Sequence, residues 1–395
     1  MLTAAQFGFV RLLTRYAVAA NELQAAELAV GLAPSDAEAH RAHGQLLNRV
    51  GMQQEAEKSF EAAVKLRPRD DYLWLELGNT RDELGDSAGA LAAYDQAVRW
   101  APYYAHTHWQ RGNLRLRMGQ YAEAFDDLRT AAQSKKSLMP NLIDLAWGLS
   151  RGDVNTVEQL VQVKDDRDRL ALARFLAQKG KGKECLKHVS LLGAPLSDEN
   201  RNDLVSQLLA AKAFREAFEL WRTDAKLSMP VVLNGGFEEP LLLTNRNFGW
   251  ILVPKPEPRI SLDDAEKLGG GKSLLVAFYG DWKDRNGLIS QTIVVEPMRR
   301  YRISFGVKTK ELVTGAPPSI AVRDGNEALA RSQVFPTPTS DWQTMTFEFS
   351  TAASTHAIVV ELTRVQDACS PCPIFGTMWL DEFLIKDVGT TNTQR

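Results

Sequence analysis

The residues of this chain whose types and spacing invite chemistry are few. Cys369 and Cys372 enclose Ser370 and Pro371 in "CSPC", a spacing that serves a disulfide, half of a metal site or a redox pair. A zinc site takes about four ligands, usually from a second Cys or His pair, and none follows nearby. A local disulfide is the stronger expectation if the protein leaves the cytoplasm, with Pro371 stiffening the short loop. Cys185 stands alone in a helical stretch and reads as a small buried apolar side chain. "GGGKS" at 269–273 invites a phosphate-loop reading, but the earlier glycine would fall at Glu266 and the stretch leads into a strand. His40 and His43 are three apart on a helix, without a third metal ligand close in sequence. Glu361 and Asp381 are the only carboxylates that suggest catalysis, and no serine elbow, paired His-Glu motif or dinucleotide fingerprint occurs. This shortage of reactive groups points to binding.

The elements that position these residues fall into two styles. Pro34, Pro68 and Pro102 are each separated by 34 residues, and the positions between them keep phase. Trp74, Leu77, Gly78, Gly85, Ala90, Tyr94 and Ala97 recur at the intervals of His40, His43, Gly44, Gly51, Ala56, Phe60 and Ala63. His108, Arg111, Gly112, Gly119, Ala124, Leu128 and Ala131 continue the series. This pattern resembles the tetratricopeptide repeat family. Small residues at Gly44 and Gly78 let two helices approach, Phe60 and Tyr94 fill space between hairpins, and each proline ends a second helix. Residues from about 3 to 34 read as a worn first repeat, 35–136 as clear repeats and 137–226 as degenerate hairpins turning at Gly152, near Gly180 and near Lys212. The expectation is an α-helical solenoid over 3–226, of roughly six or seven hairpins.

In such arrays the first helix of each hairpin lines a concave face. Gln45, Asn79 and Asn113 hold one equivalent position there, and Arg41, Leu75 and Trp109 another, four residues earlier. A ladder of amides hydrogen-bonds the backbone of an extended peptide whatever its sequence, and the resemblance implies a protein or peptide partner in this groove. The same residues also suit a merely solvated inner face. Tyr72 and Trp109 beside the ladder are the apolar anchors. No complete set of clustered basic residues marks capture of a peptide carboxylate.

From Val231 the period changes from helical to alternating. "YRISFGVKT" puts Tyr301, Ile303, Phe305 and Val307 on one face, and "MTFEFS" and "AIVVELT" alternate likewise. Strands separated by Gly, Pro, Asn and Asp turns predict a two-sheet antiparallel β-sandwich over 231–388, followed by a flexible tail at 389–395. "NGGFE", "GW", "SLLV", "ISQTIVV", "DWQTMTFEF" and "GTMWLDEFLI" follow one another in an order that looks like the jelly-roll carbohydrate-binding modules attached to xylanases. That resemblance implies a polysaccharide or oligosaccharide ligand. An aromatic plane stacks on the C–H face of a sugar while polar groups bind its hydroxyls. Tyr279 and Trp282 in "FYGDWKDRNG" are the aromatic candidates, because a loop of this composition is not expected to bury both, although Trp282 equally fits a cover for the core. Ser304, Lys308, Glu361 and Arg364 are the hydrogen-bonding candidates, and no second surface aromatic is evident on the strands. Trp250, Trp342 and Trp379 read as core cover. In the resembling modules a calcium ion often ties the chain ends together, and Glu238 and Asp381 are the matching carboxylates, which equally fit ordinary turn roles. No other cofactor is implied.

Composition bounds the rest. A chain of 395 residues exceeds one ordinary core, and a net charge of −2 gives no general attraction to nucleic acid. No stretch approaches the roughly 18 to 20 apolar residues of a membrane span. Arg11 and Arg15 interrupt the opening segment where an export signal would be continuously apolar; an extracytoplasmic location, periplasmic or cell-surface, is still the expectation, with the cytoplasm as the alternative. The reading is a multidomain α and β protein, a helical solenoid followed by a jelly roll. The expectation is a non-catalytic adaptor between a protein and a glycan, of a kind that bacterial polysaccharide assembly, export or surface attachment would use. The alternative is a protein-interaction scaffold whose sandwich does not bind sugar.

Overall fold

The computed structural model describes residues 4–222, 227–241, 247–252, 257–280, 282, 287–365 and 372–390, with side chains from residue 8 onward. The chain divides into two compact units, Met1–Phe175 and Leu176–Arg395.

Among the described residues, fourteen α-helices form successive antiparallel hairpins. They pair as α1 (Ala4–Ala20) with α2 (Leu23–Leu32), α3 (Ala37–Arg49) with α4 (Gln53–Leu66), α5 (Asp71–Glu83) with α6 (Ser87–Trp100), and α7 (Ala105–Arg117) with α8 (Tyr121–Ser134). Then come α9 (Met139–Leu149) with α10 (Val154–Val161) and α13 (Asp198–Ala210) with α14 (Phe214–Trp221), with α11 (Asp166–Gln178) and α12 (Gly182–Ser190) between them in sequence. The interhelix turns use left-handed residues: Asn21, Gly51, Gly85, Gly119, Gly152, Gly180 and Lys212 have φ between 58° and 82°, and Arg151 beside Gly152 has φ 51°. Asp36 and Asp70, 34 residues apart, cap α3 and α5 by accepting the amides of Glu38 and Leu73. Helices α2, α4 and α6 each end two residues before a repeat proline.

The repeat glycines mark close approach within a hairpin. A Cβ on Gly44 would lie 2.9 Å from the Phe60 ring, and one on Gly78 would lie 2.6 Å from the Tyr94 ring. The aromatic rings seat on the glycine of their own hairpin and also pack into the next one, as the sequence pattern requires: Phe60 clusters with Leu73 and Leu77, and Tyr94 with Leu114. The fourth position of each repeat shows why Trp and His interchange there. Trp74 Nε1 donates to the Pro68 carbonyl at 2.9 Å, and His40 Nε2 and His108 Nε2 lie 2.9 and 2.8 Å from the carbonyls of Pro34 and Pro102. Either ring can supply one N–H to the chain reversal left by the proline.

Among the described residues the sandwich has ten strands: β1 (Ile251–Leu252), β2 (Arg259–Asp263), β3 (Ser273–Gly280), β4 (Ile289–Val294), β5 (Arg299–Thr314), β6 (Pro318–Asp324), β7 (Glu327–Arg331), β8 (Ser340–Ser350), β9 (Ala357–Arg364) and β10 (Ile374–Thr390). They form two antiparallel five-stranded sheets, β1-β4-β9-β6-β7 and β2-β3-β10-β5-β8. Tyr301, Ile303, Phe305 and Val307 are all wholly buried, as the alternation on β5 required. They join Val276, Phe278, Ile358, Val360, Leu362, Met378 and Leu380 in one core between the sheets.

Candidate functional site

Because Phe278 faces the core, the next residue on β3, Tyr279, points outward, and it is 57% exposed. Phe375 on β10 lies directly opposite Tyr279, and Val313 on β5 lies opposite Phe375. The three side chains form an exposed row across neighbouring strands, with Phe375 49% and Val313 60% accessible. The register shifts just beyond the row, between Phe375 and Thr377. There Glu311 has φ 52°, and a Cβ on Gly376 would come 2.1 Å from the Glu311 carbonyl oxygen. This irregularity re-aims the strand end. Lys310 follows opposite Thr377, placing a cation beside the aromatic row. Phe375 is the second surface aromatic that the strand sequences did not reveal.

The remaining expected sugar contacts do not gather around Tyr279. Trp282 corrects the expectation of an exposed ring: it is 2% exposed and stacked on Phe278, centroids 5.6 Å apart at 15°. The inner face of β3 offers that ring as a seat, so Trp282 presents no open face to a sugar. Arg364 alternates with the core residues Val360 and Leu362 and faces inward, with its guanidinium 5.7 Å from the Trp282 ring. Its Nη2 donates to Thr314 Oγ1 at 3.1 Å and to the Cys372 carbonyl at 2.8 Å, and burial pulls its pKa down. Glu361 is on the opposite, outer face of β9, 3.4 Å from Arg323 Nη1. Ser304 and Lys308 lie on the outer face of β5, and Lys308 is engaged by Glu266 at 2.9 Å and Asp341 at 3.4 Å. The hydrogen bond that Lys308 Nζ donates to Glu266 is the largest reason its pKa is raised.

The carboxylates matched to a calcium ion do come together. Asp381, wholly buried, accepts the amides of Leu268 at 2.8 Å and Gly269 at 3.1 Å through Oδ2, and that of Glu382 through Oδ1. Glu238 Oε1 accepts the amide of Gly271 at 2.8 Å. A Cβ on Gly236 would lie 3.4 Å from Glu382 Oε1 and 3.9 Å from both Asp381 Oδ1 and Glu238 Cγ, so three carboxyl groups crowd one backbone turn. This all-oxygen donor set fits a hard cation in kind. Among the described residues no group of three or more His, Cys, Asp or Glu side chains is arranged to hold a metal by itself. A calcium ion would therefore draw most of its roughly six to eight oxygens from carbonyls and water. Cys372 is disulfide-bonded and Cys185 is free and buried; Cys369 lies outside the described residues.

On the solenoid, the groove residues are tied to one another. Arg41 Nε donates to Glu38 at 3.0 Å and Nη1 to Gln45 Oε1 at 3.2 Å, and Gln45 Nε2 donates to Glu76 at 3.2 Å. Tyr72 lies under the Arg41 guanidinium at 5.8 Å, and its hydroxyl pKa is pushed up to about 12, first by its hydrogen bond with Glu76. Asn79 Oδ1 accepts the Tyr94 hydroxyl at 2.8 Å and so helps hold the ring that seats on Gly78. Leu75 is buried, whereas Trp109 and Asn113 are half-buried on α7. That helix is anchored to α8 by Asp127, 3% exposed, which accepts Arg111 Nε at 2.8 Å and Arg115 Nη1 at 2.7 Å and lies 2.9 Å from His108 Nδ1. Arg11, exactly one repeat before Gln45 in phase, lines a cavity of about 480 Å³ with Arg15, Arg41 and Arg67. Sequence distance hid this basic cluster.

Comparison with known proteins finds a family match within each half. Residues 230–367 match the carbohydrate binding domain family. Residues 72–104 match the tetratricopeptide repeat. Comparison with curated proteins gives no match. Similar solved structures include the CBM4 of "CBM4 structure and function", 17% identical over 40% of this chain and 99% of that one, TM-score 0.30. They also include MamA 41-end from Desulfovibrio magneticus RS-1, 15% identical over 48% and 94%, TM-score 0.33. PilF of Pseudomonas aeruginosa is 17% identical over 53% and 97%, TM-score 0.35. The chain thus joins tetratricopeptide repeats to a carbohydrate-binding domain, two non-catalytic kinds of module.

Proposed function

We propose that this protein is a non-catalytic adaptor that holds a glycan on its sandwich and a partner protein in its solenoid groove. The observation that carries the sugar half is the pair Tyr279 and Phe375, exposed and in register on a domain that matches a carbohydrate-binding family. Two adjacent rings stack on successive sugar units, and Thr377 and Lys310 beside them bind hydroxyls. Trp109 and Asn113 carry the protein half, since the Asn113 side chain has no hydrogen bond among the described residues. A role in polysaccharide assembly, export or surface attachment would use both modules at once.

Affinity electrophoresis of the full chain through gels containing plant, bacterial or algal polysaccharides tests the sugar half. Retardation by at least one glycan is expected. It should be lost in the Tyr279→Ala/Phe375→Ala double variant at unchanged melting temperature. Free migration in every gel would instead favour the pure scaffold. For the protein half, pull-down with the full chain should recover partners that the Trp109→Ala/Asn113→Ala variant loses.

A further inference from the structure

We propose that the cavity lined by Arg11, Arg15, Arg41 and Arg67 receives an acidic peptide segment of the partner protein. The inference rests on the solenoid being a docking module and names the chemistry of what docks. Four guanidinium groups meet there with only two carboxylates, Asp36 and Glu38. Glu38 is taken by Arg41, and its pKa is held below the usual carboxylate range chiefly by that hydrogen bond, with Arg67 and Arg11 adding their field. Asp36 caps α3 and reaches Arg67 only at 4.0 Å. Arg11 and Arg15 are exposed and have no carboxylate partner among the described residues. In a chain of net charge −2, this is a local reversal of sign inside a cavity.

The spacing suits a chain better than a single ion. Arg11 and Arg15 are four residues apart on α1, hence about 6 Å along the helix. Alternate side chains of an extended peptide recur about every 7 Å. Two carboxylates on alternate residues can then each meet one guanidinium in the planar, two-bond geometry that arginine favours. Arg11 also holds the position that Gln45, Asn79 and Asn113 hold in later repeats, so the cavity opens the same row rather than standing apart from it. A free anion would use only its end.

Fluorescence anisotropy of the full chain with labelled octapeptides tests this, one alternating Glu and Ala and the other alternating Gln and Ala. The acidic peptide should bind at least tenfold more tightly, with affinity falling as salt rises. Arg11→Gln/Arg15→Gln should weaken it about tenfold, which is ~1.4 kcal/mol. Both residues are exposed, and an unchanged thermal melt would verify folding. Equal binding of the two peptides, or an unaffected double variant, overturns the proposal. So does displacement of the peptide by inorganic phosphate at the concentration at which unlabelled peptide displaces it, since the site would then read a simple anion. A partner that Trp109→Ala/Asn113→Ala releases but Arg11→Gln/Arg15→Gln retains would sink the acidic segment and leave groove docking standing. A partner retained by both variants would remove groove docking as well.

Discussion

Asp127→Ala should loosen the helix that carries Trp109 and Asn113, and its cost can be worked from the contacts. The carboxylate is 3% exposed and is shared by His108, Arg111 and Arg115 across α7 and α8. Removing it leaves two partly buried guanidinium groups facing each other. Breaking a buried ion pair from one side costs about 3–5 kcal/mol. Arg111 keeps Asp95 at 2.8 Å while Arg115 reaches it only at 3.8 Å, which places the expected loss near the lower end. For a unit of this size, about 3 kcal/mol lowers the melting temperature by about 6–12 °C. Circular dichroism melts at 222 nm, where helix dominates, would follow the loss of the helical unit. The same contacts set a pH dependence. Burial raises the Asp127 pKa, but hydrogen bonds from His108 and Arg111 outweigh it and the net shift is downward. A carboxylate depressed in the folded state stabilises fully above its unfolded pKa of about 3.9 and loses that contribution as pH falls through the folded value. The gap between wild type and Asp127→Ala should therefore be steady from neutral pH to about pH 5 and close below about pH 4. A shift under about 2 °C at neutral pH, or a gap that does not narrow as pH falls below about 4, would refute the reasoning.

Gly78→Val puts a side chain where a Cβ alone would sit 2.6 Å from the Tyr94 ring, and should cost about 1–3 kcal/mol by overpacking; chemical denaturation that finds no loss would mean the hairpin can spread freely. Calcium should raise the melting temperature of the full chain and a chelator should reverse the effect, with Asp381→Asn abolishing the response; identical melts in calcium and chelator would argue against the ion. Mass spectrometry of unreduced protein from its native host should find Cys369 and Cys372 in one bridged peptide, whereas two free thiols there would contradict the pairing. Burial pushes the Cys185 thiol up to about 12, so it should react with thiol reagents only after unfolding.

The helical half was legible because its constraints are local and repeated. Each hairpin needs a left-handed turn residue, a small residue at the crossing and a proline stop, and these recur in Gly51, Gly85, Gly119, Gly44, Gly78, Pro34 and Pro68. The sites were less legible because they depend on pairings that no local pattern states. Phe375 meets Tyr279 only through the register of β3 with β10, strands nearly a hundred residues apart in sequence. Trp282 stood between surface and core in the sequence because Gly, Asp and Asn around it suggest a solvated loop, and only the ring of Phe278 on the adjoining strand end, which gives it an apolar seat, decides for the core. Arg11 and Arg15 are separated from Arg41 and Arg67 by α2, so their common cavity appears only once the first two hairpins are stacked.

The change of residue pattern at Val231 and the division in packing also fall in different places, and the reason bears on how sugar binding should be studied. Phe218 and Trp221, at the end of α14, lie 5.2 and 5.5 Å from the ring of Phe248, which is 1% exposed. Arg215 of the same helix donates to Glu296 of the sandwich at 2.9 Å. Pattern reads the period of each segment, while packing reads what covers it, and here a helical segment serves as cover for a sheet domain. Phe248 precedes Trp250, which stacks on Phe237 beside the Glu238 carboxylate. Stripping α14 away would open the apolar layer next to the crowded carboxylates, so the glycan and calcium measurements belong on chains that retain residues from Leu176 onward.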